Sequence, residues 1–129
     1  MRMLLDTSAW LWLLTEPDRF SVGRRAQLAS PATELFLSAA SSWEISIKYS
    51  IGKLALPERP ERYIPRMLEA TNTSGLMIKH VHALRVAELP LHHRDPFDRM
   101  LVAQAQIEKL PILSADPQIG LYAVKVLPL

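Results

Sequence analysis

The sequence has no cysteine and no strong excess of charge of either sign. The absence of cysteine excludes disulfide frameworks, thiolate zinc sites and cysteine nucleophiles, and it suits a reducing compartment. Lysine and arginine number 15 against 13 aspartates and glutamates, so the formal net charge is only +2. A charge this small permits nucleic-acid binding without requiring it, and charge therefore decides nothing about function.

Long apolar runs are also absent, although 49% of the residues are hydrophobic. No run approaches the ~18 residues that a membrane span requires. Asp6 interrupts the N-terminal apolar run too early for a secretory signal peptide. Repeats, low-complexity tracts and long linkers are missing as well. We therefore expect one cytoplasmic domain over residues 1–129 with no membrane contact.

What the chain does contain is an alternation of short apolar runs with amphipathic stretches. The runs predict buried strands at 3–5, 35–37, 76–78, 112–113 and 124–126. The stretches predict helices at 8–15, 21–30, 41–51, 60–71, 80–89 and 96–109. Residues 43–51 also alternate as a strand would, but Trp43, Ile47 and Ile51 are four apart and favour a helix. The alternation predicts an α/β/α sandwich built on a parallel sheet.

Four acids occupy corresponding places in this pattern. Asp6 ends the first predicted strand and Asp116 follows the fourth, while Glu44 and Asp98 lie in the first turns of predicted helices. In a parallel sheet with helical crossovers, strand ends and helix starts share one edge, where ligands bind. We therefore expect these four carboxylates to gather at that edge.

Each acid taken singly also fits a helix cap. Asp6 could cap the first helix, and Ser41 with Glu44 fits a capping box. Asp95-Pro96 and Asp116-Pro117 both have the form of an N-cap followed by proline. We interpret Asp95 as a cap only, and for the other acids both interpretations stay open.

Capping explains the four carboxylates less well when they are taken together. Two unit charges ~4 Å apart repel by about 4 kcal/mol at an effective dielectric constant near 20. Protons or a cation must offset this repulsion. Oxygen ligands without cysteine or histidine select Mg²⁺ or Mn²⁺ over zinc, and such a site suits hydrolysis of a phosphodiester.

Three segments carry a resemblance to a known family. They are LLDTSAWLW at 4–12, SAASSWEISIKYSIGKLAL at 38–56 and HRDPFDRMLVAQAQIEKLPILSAD at 93–116, followed by a closing strand at 124–126. In order and spacing they resemble PIN-domain ribonucleases, specifically the VapC-type toxins of type II toxin–antitoxin systems. The resemblance covers nearly the whole chain.

The resemblance implies a PIN-like fold with a five-stranded parallel sheet flanked by helices. It implies a metal-dependent endoribonuclease whose catalytic and metal-binding acids are Asp6, Glu44, Asp98 and Asp116. Asp6 and Asp98 are the principal ligands of Mg²⁺ or Mn²⁺, and Thr7 and Ser114 position ligands or phosphate. The implied partners are an RNA substrate, a second copy in a homodimer, and a cognate VapB-type antitoxin that inhibits the toxin.

Other residues leave alternatives open. Nearby basic side chains could bind phosphates or be ordinary surface charges; they are Lys48, Lys53, Arg94 and Arg99. We interpret His92-His93 as a turn or surface feature. Trp10, Trp12 and Trp43 could stack on bases or meet the antitoxin, but we expect core packing for at least two.

Other functions are weighed against the nuclease. A phosphoacceptor domain needs adjacent acids after the first strand, and an aspartate-nucleophile phosphatase needs an acid two residues later. Thr7 and Ser8 stand there instead. The remaining alternative is a catalytically inactive RNA-binding or interaction module of the same fold, which predicts binding without metal-dependent turnover.

Overall fold

A computed structural model describes residues 1–129 and contains one five-stranded sheet in the order β3-β2-β1-β4-β5. All its strand pairs are parallel. The strands are β1 (Arg2–Leu5), β2 (Glu34–Ser38), β3 (Thr73–Leu76), β4 (Ile112–Leu113) and β5 (Val126–Leu127). The helices are α1 (Thr7–Thr15), α2 (Val22–Ala29), α3 (Ala39–Ser50), α4 (Pro60–Ala70), α5 (His80–Arg85) and α6 (Pro96–Glu108). The predicted α/β/α sandwich is confirmed. No helix is both long enough and apolar enough to cross a membrane.

The pleat of the strands sorts their side chains into two cores. Met3 and Leu5 face a cluster formed with α1, α2 and α4, whereas Leu4 between them faces a cluster formed mainly with α6. Leu113 and Ile112 divide in the same way on β4. Because successive side chains of a strand point to opposite faces, a sheet covered on both faces needs uninterrupted apolar runs. This explains why the central strands are visible in the sequence.

The edge strands were predicted less well. β3 covers Thr73–Leu76 rather than 76–78, and β5 covers Val126–Leu127 rather than 124–126. β3 pairs only with β2, so backbone hydrogen bonding fixes its place and a polar sequence suffices. The apolar Met77, on which the prediction rested, is 74% exposed beyond the strand end.

Helix α3 begins earlier than predicted, which removes the capping-box interpretation of Glu44. Ser38 is the N-cap, and its hydroxyl accepts a hydrogen bond from the Ala40 N–H at 3.0 Å. Ser41 therefore lies inside the helix, and Glu44 lies in its second turn rather than its first. The prediction of helix over strand for this segment is confirmed.

The strand order creates a switch point between β1 and β4. From β1 the chain proceeds outward to β2 and β3, and it then returns to build β4 and β5 on the other side. Loops leaving neighbouring strands at such a point diverge and leave a crevice at the carboxyl edge of the sheet. The residues that follow β1 and β4 lie there.

Candidate active site

A pocket of about 350 Å³ opens at this switch point. It is lined by all four predicted acids together with hydroxyl, basic and aromatic side chains: Asp6, Glu44, Asp98 and Asp116, then Asp95, Thr7, Ser8, Lys48 and Trp12. The acids come from two strand ends and two helices, far apart in sequence. The structure thus brings together the carboxylates that the sequence pattern placed at one edge.

Asp6 is held by donors on both carboxylate oxygens. Its Oδ1 accepts a hydrogen bond from the Ala9 N–H at 2.7 Å, so Asp6 is indeed the N-cap of α1. Its Oδ2 accepts from the Ser114 hydroxyl at 2.5 Å. Asp6 can therefore cap the helix and line the pocket at the same time. The cap uses only one of its oxygens, and the residue, which is 6% exposed, lies in the pocket with the other acids.

Two hydroxyl residues connect the elements around Asp6. Ser114 donates to Asp6 and also accepts from the Asp116 N–H at 3.0 Å, which ties the end of β1 to the loop after β4. Thr7 donates to the Ser41 hydroxyl of α3 at 2.8 Å. Ser114 thus fixes two acids directly, whereas the Thr7 hydroxyl fixes the contact between α1 and α3.

Glu44 is buried at 6% exposure and forms an ion pair with Lys48 one turn later at 2.7 Å. The hydrogen bond that Lys48 donates to Glu44 is the largest contribution that raises the pKa of Lys48. Nearby Asp95 and Asp98 add to the shift. Lys48 is therefore a cation at the pocket wall that is already paired with one acid.

Asp98 lies in the first turn of α6, as predicted, and Asp95 is the N-cap of that helix. The Asp95 side chain accepts from the Phe97 N–H at 2.8 Å. The corresponding expectation for Asp116-Pro117 is wrong, since no α-helix follows. Asp116 instead accepts from the Gln118 N–H at 2.9 Å within a turn.

His93 is the site residue that the sequence interpretation missed. Its side chain is 12% exposed, and its Nε2 lies 2.9 Å from Asp116 Oδ2 and 3.0 Å from Asp98 Oδ2. Its position in the sequence could have indicated this role, because His93 lies two residues before Asp95, the N-cap of α6. Since Asp98 lies in the first turn of that helix, the loop before the helix also lies beside the pocket. The interpretation of His93 as a turn or surface residue is therefore incomplete, because its side chain contacts two acids of the pocket.

Burial and the charges of neighbouring acids raise the pKa values of Asp6 and Asp98. Burial raises the pKa of Asp6, although hydrogen bonds from Ser114 and Ala9 oppose this, and the charges of Asp116 and Glu44 add to it. Burial likewise raises the pKa of Asp98 to about 7, followed by the repulsion from Asp95. His93 lowers it, while Asp6 and Glu44 raise it further. Such a group of acids favours protons or a cation over an empty ionised state.

The donor set fits a hard divalent cation. The four acids supply oxygen atoms only, which are the ligands that Mg²⁺ and Mn²⁺ prefer. One carboxylate oxygen each of Asp98 and Asp116 lies within 4.8 Å of the other, close enough for one ion to contact both. Asp6, Glu44, Asp98 and Asp116 are the residues that could hold it.

The basic and aromatic candidates divide between structure and surface. Arg99 donates to the Pro90 carbonyl at 2.9 Å and the Val86 carbonyl at 3.1 Å, so it stabilises a loop. Lys53 and Arg94 are exposed. Trp10 is fully buried and Trp12 packs against the same core, as expected for two of the three tryptophans, whereas Trp43 is 62% exposed beside Phe97.

Comparison with known proteins decides the family. Residues 3–125 match the PIN domain. The chain belongs to the PIN domain family. A stretch of 58 residues is 41% identical to ribonuclease VapC16 of Mycobacterium tuberculosis. That match covers 45% of this chain and 41% of the relative, so the aligned part spans less than half of either protein.

Solved structures share the fold of this PIN domain. A chain of the VapBC2 complex of Rickettsia felis, bound to a DNA fragment from its promoter, matches with a TM-score of 0.75 at 12% identity, covering 99% of this chain and 98% of that one. A chain of VapBC-1 of nontypeable Haemophilus influenzae matches with a TM-score of 0.65 at 15% identity, with coverages of 99% and 98%. At these identities the likeness concerns the fold, and it confirms the PIN-like sandwich.

Proposed function

We propose that this PIN domain is a metal-dependent endoribonuclease, and that it acts as a toxin restrained by a VapB-type antitoxin. The observation that carries the proposal is the convergence of Asp6, Glu44, Asp98 and Asp116 on one pocket at the switch point of the sheet. The match to a ribonuclease VapC16 and the fold shared with chains of VapBC complexes support it.

In the proposed reaction, water adds to the phosphorus of an RNA phosphodiester, and the bond from phosphorus to the 3′ oxygen breaks. The products carry a 5′-phosphate and a 3′-hydroxyl. A divalent cation, Mg²⁺ or Mn²⁺, would make a water more acidic and offset charge on the phosphate. The chain's own residues orient the acids: Ser114 holds Asp6 and the Asp116 backbone, and Asp95 fixes the helix start that carries Asp98.

Lys48 is the proposed contact for the flanking phosphate. Its ammonium group lies at the pocket wall and is half exposed, with 49% of the side chain accessible. It pairs with one oxygen of Glu44 and keeps further N–H donors on an ammonium group that a negatively charged backbone could approach.

The test is cleavage of RNA by the purified protein with Mg²⁺ or Mn²⁺, with and without EDTA. We expect cleavage that EDTA abolishes and that Asp98→Asn reduces about 100-fold or more, since several kcal/mol of charge stabilisation depend on the cation. Asp18→Asn is the matched control, because Asp18 lies away from the pocket and is 97% exposed, with a surface ion pair to Arg25. RNA binding without metal-dependent turnover would support the inactive RNA-binding module instead.

We further propose that the protein forms a homodimer. α3 and its C-cap expose three apolar side chains, Trp43, Ile47 and Ile51, spaced four residues apart, which is a surface suited to a protein contact. Light scattering should give twice the 14.6 kDa chain mass, and Ile47→Asp should shift the protein toward the monomer. A monomeric wild-type protein would contradict this part of the proposal.

A further inference from the structure

His93 lies where two partly buried carboxylates approach each other. Its Nε2 is 2.9 Å from Asp116 Oδ2 and 3.0 Å from Asp98 Oδ2, and these three atoms are mutually within 4.8 Å. Two ionised carboxylate oxygens this close repel each other. A polar hydrogen between them would offset that repulsion without occupying the space on the pocket side.

The hydrogen-bond partner on the other ring nitrogen indicates where the proton of the imidazole lies. His93 Nδ1 faces the Asp95 backbone N–H at 3.2 Å and must accept this hydrogen bond. A neutral imidazole that accepts at Nδ1 carries its proton on Nε2. The Nε2–H then donates to Asp116 and faces Asp98, whereas a histidine that ligates a cation through Nε2 would need the opposite tautomer.

The loop that carries His93 is itself fixed from behind. The Tyr122 hydroxyl accepts from the His93 backbone N–H at 2.8 Å and from the His92 N–H at 3.2 Å. Arg99 donates to the same hydroxyl at 3.2 Å and to the Pro90 carbonyl at 2.9 Å. Tyr122 is 5% exposed, so this support is part of the core. The ring of His93 is therefore held in place before any ligand binds.

We propose that His93 is a positioning residue, whose Nε2–H holds the Asp98 and Asp116 carboxylates together as one side of the cation site. This inference rests on the proposed function, because it concerns the residues that orient the ligands of the proposed metal site. Partners that orient metal ligands typically contribute 10–100-fold to metal affinity. The residue is not itself a ligand, and its imidazole acts only through the two acids.

The experiment titrates Mn²⁺ into metal-free His93→Ala, His93→Gln and wild-type protein by calorimetry. We expect His93→Ala to weaken Mn²⁺ binding by about 10–100-fold. His93→Gln should recover most of the affinity, since its amide offers an N–H donor at similar reach. His80→Ala is the matched control, because His80 is an exposed histidine at the start of α5 and does not line the pocket, and this variant should bind Mn²⁺ like the wild type. Thermal unfolding of each metal-free variant shows whether it folds.

A folded His93→Ala variant that binds Mn²⁺ as tightly as wild type, or more tightly, overturns the inference. Equal losses in His93→Ala and His93→Gln also overturn it, because they identify His93 as a direct ligand. Nitrogen NMR of the metal-free protein tests His93 independently: the Nε2–H tautomer supports the proposal, and the Nδ1–H tautomer contradicts it. A wild-type protein that binds no Mn²⁺ refutes the proposed metal function, while the tautomer still decides the contact with the acids.

Discussion

The two sides of the acidic pocket are stabilised in different ways. On the β1 side, Asp6 receives a backbone N–H and a serine hydroxyl, one on each carboxylate oxygen. On the α6 side, Asp98 has a histidine at 3.0 Å and a second acid, Asp95, within one helical turn. Burial raises the pKa on both sides, but only on the β1 side do hydrogen bonds oppose it strongly. The comparison shows that hydrogen bonds offset part of the effect of burial on the β1 side, whereas on the α6 side the opposing group is His93.

The largest effect expected from this difference is a pH dependence of stability caused by Asp98. Because its pKa in the folded protein is raised from 3.8 to about 7, the folded state binds more protons than the unfolded state between these values. The free energy of unfolding of the metal-free protein should therefore fall as pH rises through this window, by on the order of 2–4 kcal/mol. Urea unfolding at several pH values measures it.

Asp98→Asn should remove most of that slope, and saturating Mg²⁺ should flatten it in the wild type by stabilising the ionised folded state. The exposed-acid variant Asp18→Asn should retain the wild-type slope. If Asp98→Asn has the same pH dependence of unfolding free energy as the wild type, another group causes that dependence. The proposed difference between the two sides of the pocket would then be wrong.

Ser114→Ala tests the β1 side. The substitution leaves a buried oxygen of Asp6 without its donor and the Asp116 N–H without its acceptor. We expect a loss of about 1–3 kcal/mol in unfolding free energy, together with weaker RNA cleavage. Ser46→Ala is a suitable control, since the Ser46 hydroxyl only donates to the exposed Ser42 carbonyl of its own helix. Equal stability of the two variants would contradict the assigned role of Ser114.

Thr7→Val should have the smallest effect. The Thr7 hydroxyl donates to Ser41 at 2.8 Å and contacts no acid directly. Because valine preserves the shape and the lost partner is a single neutral hydroxyl, we expect about 1 kcal/mol of destabilisation and little change in metal affinity. Chemical denaturation and Mn²⁺ calorimetry measure the two quantities. A clear loss of Mn²⁺ affinity in Thr7→Val would contradict the assignment of the Thr7 hydroxyl to the contact between α1 and α3.

The central part of the fold could be predicted from the sequence because its determinants are local. β1, β2 and β4 are buried on both faces and read as apolar runs, and the four-residue spacing around Ile47 favoured a helix over the alternative strand. β3 could not be placed well, since Thr73, Ser74 and Gly75 are ordered by pairing with β2 rather than by their own hydrophobicity. Edge strands of this kind depend on tertiary context.

The acids of the pocket could be predicted because each lies just after a strand or within the first two turns of a helix, whereas the residues that support them could not. His93 and Arg99 obtain their roles from partners that only the folded chain brings near, such as Asp116 and Tyr122. The capping box predicted at Ser41 and Glu44 is wrong, because Ser38 at the end of β2 is the N-cap of α3 instead. Spacing alone cannot choose between two serines that both fit.

The most direct test of the central claim is to locate Mn²⁺ by anomalous scattering in crystals of the protein. We expect an ion in the pocket with carboxylate oxygens of Asp6 and Asp98 as ligands and with His93 Nε2 hydrogen-bonded to an acid rather than bound to the ion. An ion bound elsewhere, or a pocket that stays free of Mn²⁺ at saturating concentration, would contradict it.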